Sequence, residues 1–205
     1  MTTRIFPIPC RVRPSIVALG LSAALLATAP VDAAPRGKVA PIPSPTGGKC
    51  ITEKEVVAAQ RAWGEGIIEI GRVYAQGGDY VTAAANHINR FYGYDLSLVL
   101  FKPTLASVEQ FRPTFDSALS YFVGQNPSFP EDKGFAIRPW SKVRWKNEGI
   151  VNNSCTMAVA MGNYWFTPAG GGPETKVEYS FGYVRGNDDE LRIVVHHSSV
   201  PFSAD

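Results

Sequence analysis

The chain has 205 residues, 45% of them hydrophobic and 19% charged, which is enough apolar material for one core of ordinary globular size. This excludes a disordered acidic tail, a collagen-like chain and a disulfide-dense miniprotein. The formal charge is +2, and the excess lies in residues 1–33, where Arg4, Arg11 and Arg13 outnumber Asp32. The rest is balanced and offers a phosphate backbone no general attraction, so nucleic-acid binding is not expected.

Residues 1–33 read as a targeting signal. The three arginines form a basic start, residues 15–29 carry no charge, and Val31-Asp32-Ala33 supplies small residues where a signal peptidase reads, with cleavage after Ala33. A membrane anchor is the competing reading, but the apolar run is shorter than the roughly 20 residues a span needs, and Gly20 and Pro30 interrupt it. The expected destination is the periplasm or the medium, with a plastid thylakoid lumen as the alternative. No membrane attachment is expected after cleavage. Cleavage removes Cys10 and leaves Cys50 and Cys155, which form either one disulfide across a long loop or two separate thiols. Neither has a cysteine or histidine at zinc-ligand spacing.

Residues 34–50 form a linker, broken by Pro35, Pro41, Pro43 and Pro45 and by Gly37, Gly47 and Gly48. The domain expected over residues 51–205 opens on a capping box, Thr52 with Glu55, and a hydrophobic staple, Ile51 with Val56. Val56, Ala59, Trp63, Ile67, Ile70 and Tyr74 then recur at helical spacing. Gly77-Gly78 stops this helix. Asp79 caps a second, whose stripe runs through Val81, Ala85, Ile88 and Tyr92. A short β-like stretch at 96–102 ends at Pro103, and residues 114–123 read as a brief helix with Phe115, Leu119 and Phe122 buried. Residues 135–147, 150–166, 175–185 and 190–199 are strand-rich and separated by turn formers. Val177, Tyr179, Phe181 and Tyr183 alternate with Lys176, Glu178 and Ser180. Helices followed by a long antiparallel sheet predict an α+β fold with the helices on one face. Curled around the first helix, with Gly162 and Gly182 as bend sites, such a sheet makes the cone of nuclear-transport-factor-2-like and SnoaL-like domains.

Three histidines are available. His87 falls off the apolar stripe of the second helix and reads as a solvated surface residue. His196 and His197 close the last strand, followed by Ser198 and Ser199. Strand alternation puts His197 and Ser199 on one face with Leu191, Ile193 and Val195, hence inward, and His196 and Ser198 on the other. Adjacent histidines on opposite faces are poorly placed to share a metal ion, which in catalytic zinc sites needs three converging ligands. Without further context, His197 reads as a core histidine bonded to a hydroxyl.

The segments Leu100-Phe101-Lys102-Pro103-Thr104-Leu105-Ala106, Phe111-Arg112-Pro113-Thr114 and Ala118-Leu119-Ser120-Tyr121-Phe122-Val123-Gly124 resemble those of the iota-class carbonic anhydrases. So do Asp132-Lys133-Gly134-Phe135-Ala136, the terminal Leu191-Arg192-Ile193-Val194-Val195-His196-His197-Ser198-Ser199, and the opening Ile51-Thr52-Glu53-Lys54-Glu55-Val56 with Gln60, Trp63 and Gly64. The resemblance covers residues 51–202 and extends to the association domain of calcium/calmodulin-dependent kinases, a dimerising cone. It implies reversible hydration of carbon dioxide to bicarbonate, with manganese or zinc in some members and no metal in others. The scarcity of converging histidines favours no cofactor here, with zinc and manganese left open. Thr104, Tyr121 and Ser199 fall on the family's substrate-holding hydroxyls. A pocket of hydroxyls with apolar walls suits both carbon dioxide and the three oxygens of bicarbonate. His197 is the expected base or proton shuttle, Tyr121 a possible relay, and Lys102 a source of positive potential. A homodimer joined through aromatic-rich strand faces (Val177, Tyr179, Phe181, Tyr183, Trp140 and Trp145) is also expected. Two other readings stay open: a non-catalytic cone that binds a small carboxylate or acts as an oligomerisation hub, and a SnoaL-like enzyme for a larger organic substrate. Cavity size separates the last from the first.

Overall fold

The structure, a computed structural model, describes residues 49–152 and 154–203. The expected signal at residues 1–33 and residues 34–48 of the expected linker lie outside the described residues. Helix α1 (Glu53–Ala75) starts at the capping box: the Thr52 side chain accepts from Glu55 N–H while the Glu55 carboxylate accepts from Thr52 N–H at 2.7 Å. Helix α2 (Tyr80–Phe91) is capped by Asp79. A short strand β1 (Leu100–Lys102) leads through a loop to α3 (Phe115–Val123), capped by Thr114. The remaining elements are β2 (Trp140–Val151), β3 (Met157–Pro168), β4 (Thr175–Arg185) and β5 (Leu191–Ser199).

The sheet runs β1-β5-β4-β3-β2. Three of its four pairings are antiparallel as expected, whereas β1 lies parallel to β5, with Phe101 opposite His196 and Lys102 opposite His197. A parallel neighbour needs a long crossover, and the α3–β2–β3–β4 excursion provides it. The helices pack on one face. Trp63 of α1 is 1% exposed and sits at the centre of the core. Its ring lies 5.7–6.4 Å from those of Trp145, Tyr164, Phe166, Phe181 and His196, which come from all four long strands. A ring of that size contacting four strands at once requires the sheet to curl around α1.

Two glycines permit the curl. Asn147 pairs with Gly162 and Gly149 with Met161, so Glu148 is an extra residue in β2. A side chain on Gly162 would collide with the Lys146 carbonyl at this bulge. Gly182 pairs with Val195 but Tyr183 with Ile193, which leaves Val194 as the extra residue of β5. A Cβ on Gly182 would stand 3.1 Å from Val195 Cβ. Each glycine faces a bulge, the standard device for bending a strand.

The bulge at Val194 overturns one expectation. Leu191 and Ile193 point inward as predicted, but Val194 is buried as well and the alternation restarts one residue later. His196 (3% exposed) and Ser198 (4%) therefore face the core, while His197 and Ser199 face outward. His87 differs too: it is buried, because α2 turns Ala84, His87, Ile88 and Phe91 toward its neighbours and leaves Val81 exposed. Val177, Tyr179, Phe181 and Tyr183 also lie in the core, so they are not free to join two copies. Cys50 and Cys155 form a disulfide.

Candidate active site

The inner face of β3 and β5, the start of β2 and β4, the loop after β1 and helix α3 enclose a cavity of about 80 Å³. Its apolar walls include Trp63, Phe101, Leu105, Phe122, Phe135, Trp140 and Phe166, and its polar lining includes Thr104, Tyr121, Tyr164, His196, Ser198 and Arg138. A water needs about 10–15 Å³ of such space, so the cavity takes a few small molecules. A drug-sized ligand occupies about 300–1,000 Å³, and a large organic substrate does not fit.

The polar groups come from several elements, with His196 and Ser198 both on β5. Thr104 stands just beyond Pro103, where β1 has ended, and donates to Ser198 Oγ at 3.0 Å. Tyr121 projects from α3; burial pushes its phenol well above the ordinary tyrosine range, with the Leu105 backbone opposing that rise. Tyr164 comes from β3, whose inward positions Ala158, Ala160, Tyr164 and Phe166 share one parity. Burial likewise raises its phenol pKa, opposed by the Ser198 hydroxyl beside it. His196 is stacked on Phe101 at 4.6 Å between centroids and meets the edge of Phe181 at 4.0 Å. Its Nδ1 lies 2.8 Å from the Tyr92 hydroxyl and its Nε2 lies 3.4 Å from the Tyr164 hydroxyl. Burial, and then the neighbouring His197, hold its pKa well below the usual histidine range. The ring is therefore neutral across physiological pH.

The structure thus brings together Thr104 and Tyr121, two of the residues expected from sequence, and replaces the other pair. Ser199 donates to Glu178 Oε2 at 3.0 Å on the outer face, and His197 lies on that face with it. The cause is the extra residue at Val194, which inverts every side chain after it. Lys102 is outside the cavity: Phe101 takes the inward position of β1, and Lys102 Nζ reaches the Ser198 carbonyl at 3.5 Å. The cation at the cavity wall is Arg138, which forms no salt bridge among the described residues. Sequence reasoning missed Tyr92, Tyr164 and Arg138. Only Tyr164 left a signal, in the parity of β3.

The donor set does not suit zinc or manganese. Among the described residues, one histidine and several neutral hydroxyls line the cavity, no carboxylate does, and no three His, Cys, Asp or Glu side chains group as ligands.

Comparison with known proteins agrees with this geometry. Residues 54–200 match the family model described as metal-independent carbonic anhydrase. A metal-independent carbonic anhydrase of Nostoc sp. (strain PCC 7120) is 44% identical over 162 residues, 78% of this chain and 78% of that protein. The crystal structure of a cyanobacterial iota-carbonic anhydrase in complex with bicarbonate is 42% identical, with a TM-score of 0.72 over 76% of this chain and 95% of that one. With the match spanning helices, sheet and cavity alike, the chain belongs to the metal-independent carbonic anhydrase family.

Proposed function

We propose that this protein catalyses the reversible hydration of carbon dioxide to bicarbonate, without a metal, in the cavity lined by Thr104, Tyr121, Tyr164, His196 and Ser198. The observation that carries this reading is the convergence of the hydroxyls of Thr104, Tyr121, Tyr164 and Ser198, from four separate segments, on one small, apolar-walled space in a chain of this family. Apolar walls accept carbon dioxide, which needs little more than room. The hydroxyls supply the directed donors that bicarbonate requires. During hydration the oxygen of a held water attacks the carbon. One carbon–oxygen π pair moves onto oxygen, and the donors stabilise the charge that develops there. The water's proton departs to solvent or buffer, which balances carbon dioxide and water against bicarbonate and a proton. Arg138 at the wall favours the anion over the neutral gas.

The same reading includes export and self-association. The basic-apolar start of the sequence and the Cys50–Cys155 disulfide both support an oxidising compartment, periplasmic, extracellular or lumenal. For a homodimer, the outer face of β3 exposes Val159 (43%) and Met161 (57%), a surface that a second sheet covers more readily than the inward aromatics. Light scattering across a tenfold dilution series checks this, and a monomeric mass throughout refutes it.

The decisive experiment is stopped-flow carbon dioxide hydration on protein stripped with strong chelators. Full activity is expected, with a loss of about 10²-fold in kcat for Thr104→Ala or Ser198→Ala. Activity that disappears on chelation and returns stoichiometrically with zinc or manganese would falsify the metal-free reading.

A further inference from the structure

Trp63, Tyr92, His196 and Tyr164 form a line of hydrogen bonds drawn from α1, the end of α2, β5 and β3, and its direction is fixed from one end. The Trp63 indole can only donate, and it lies 3.2 Å from the Tyr92 oxygen. Tyr92 is 1% exposed. Its hydroxyl has two polar partners among the described residues, that indole and His196 Nδ1 at 2.8 Å. Having accepted from Trp63, the phenol either gives its own hydrogen to Nδ1 or buries it unbonded, which is the costlier arrangement. Nδ1 therefore accepts. A neutral imidazole carries one hydrogen, so that hydrogen is on Nε2, facing the Tyr164 oxygen at 3.4 Å. Tyr164 accepts it and keeps its own hydrogen for the cavity wall it shares with Thr104, Tyr121 and Ser198.

We propose that Tyr92 locks His196 as the Nε2–H tautomer, so that His196 acts as a donor aiming the Tyr164 hydroxyl at a substrate oxygen and not as the base that takes the water's proton. Tyr164 is then a further substrate-contacting residue, and Tyr92 a positioning residue that acts through His196. The inference rests on the carbonic anhydrase reading of the cavity. The surroundings of the ring support it. The titratable groups facing His196 are Tyr92 from the end of α2 and Tyr164 from β3, with His197 next along β5 on the outer face. Its contacts from α1, β1 and β4 are the uncharged rings of Trp63, Phe101 and Phe181. A carboxylate at Nδ1 would stabilise an imidazolium. A phenol donating there occupies the lone pair instead, and no carboxylate is among the groups named.

The test combines nitrogen-15 spectra of the imidazole rings with kinetics on the purified protein, His196 being assigned with His87→Leu and His197→Ala variants. At pH 7.5 the wild type is expected to show a protonated Nε2 and an unprotonated Nδ1. Tyr92→Phe should shift hydrogen toward Nδ1 and lower kcat at least about tenfold. Tyr164→Phe should leave the Nε2–H pattern in place and lower kcat about 10²-fold. Should Tyr92→Phe not fold, the wild-type spectrum and Tyr164→Phe still decide. An active wild type with Nδ1–H or an imidazolium overturns the inference alone, as does Tyr164→Phe with activity within twofold of wild type. A protein that hydrates no carbon dioxide at all overturns the functional reading and with it the substrate role of Tyr164, while the spectrum still decides the tautomer.

Discussion

Two buried imidazoles pack against Trp63, each with its centroid 5.8 Å from that ring, and they differ in what their nitrogens meet. Those of His196 have phenol partners. Both nitrogens of His87 lack a partner among the described residues, and its ring packs against Phe91 and Phe122. Burial, with Arg90 adding to it, lowers the His87 pKa to about 3. The unfolded chain binds a proton near pH 6.5 where the native protein binds none, so stability is complete above about pH 6.5 and falls as pH drops toward 3. His196, lowered in the same direction, behaves alike. Between pH 6.5 and 5, above the carboxylate range, each contributes a slope of up to about 1.4 kcal/mol per pH unit. His87→Leu is expected to remove about one proton's worth of that slope in urea melts at several pH values; an unchanged slope would mean His87 is protonated in the native state. The sharper residue-level contrast lies on β5. Ser198→Ala should be severely impaired in hydration, whereas Ser199→Ala and His197→Ala, outward of the bulge, should stay within about twofold of wild type. The opposite ranking would show that β5 presents its other face to the cavity.

At the scale of elements, the loop between β1 and α3 carries Thr104 and Leu105 over the cavity and is held from one side. The Glu131 carboxylate accepts the backbone N–H groups of Ser107, Val108 and Glu109 at 2.8–3.2 Å and the Ser107 hydroxyl at 2.7 Å. These bonds, Ser107 foremost, lower its pKa to about 2. Next to it, Asp132 pairs with the fully buried Arg112 at 2.9 Å and accepts from Ser120 at 2.6 Å, beside Tyr121. Two adjacent carboxylates thus fasten the Thr104 loop and the Tyr121 helix. Asp132→Asn leaves the buried Arg112 guanidinium with only the Glu131 carboxylate, 3.7 Å away, as its charge partner and is expected to cost about 3 kcal/mol in chemical denaturation. Glu131→Gln should raise KM by loosening the loop and, with Arg112 keeping Asp132 at 2.9 Å, lower the melting temperature less than Asp132→Asn does; an unchanged KM would separate the loop from substrate binding. None of this was legible beforehand, since Arg112 and Asp132 read only as members of a motif. What was legible was local. The Thr52–Glu55 box, the Asp79 cap and the alternation of β4 all act within a few residues. The β5 face was misread because alternation assumes a regular ladder. The warning lay in the apolar run Ile193-Val194-Val195 opposite Gly182, where one residue too many points inward.

Over the whole molecule, the features that sequence could not supply are the ones that join distant segments. The Tyr92–His196 contact, the Gln60–Asn147 amide pair with its 2.8 and 2.9 Å bonds and the cysteine pairing each depend on a closed fold, and spacing along the chain carries no information about them. The Cys50–Cys155 disulfide joins the start of α1 to the β2–β3 turn across 105 residues. Ile51 N–H donates to the Cys155 carbonyl at 3.3 Å, and Asn152 Nδ2 donates to the Ile51 carbonyl. A loop of that length loses enough unfolded-state entropy on closure to stabilise the fold by up to about 4.7 kcal/mol, less any native strain. The cavity lies at the other end of the β2–β3 hairpin, lined by Trp140 and Phe166, about nine residues or 30 Å along β3 from Met157. Reduction, or a Cys50→Ser and Cys155→Ser double variant, should therefore lower the denaturant midpoint strongly while leaving kcat and KM of the folded fraction near wild type. Equal midpoints for oxidised and reduced protein would show that the bridge adds nothing to stability. A loss of kcat at full folding would show that the N-terminal end of α1, through Trp63, transmits strain to the cavity.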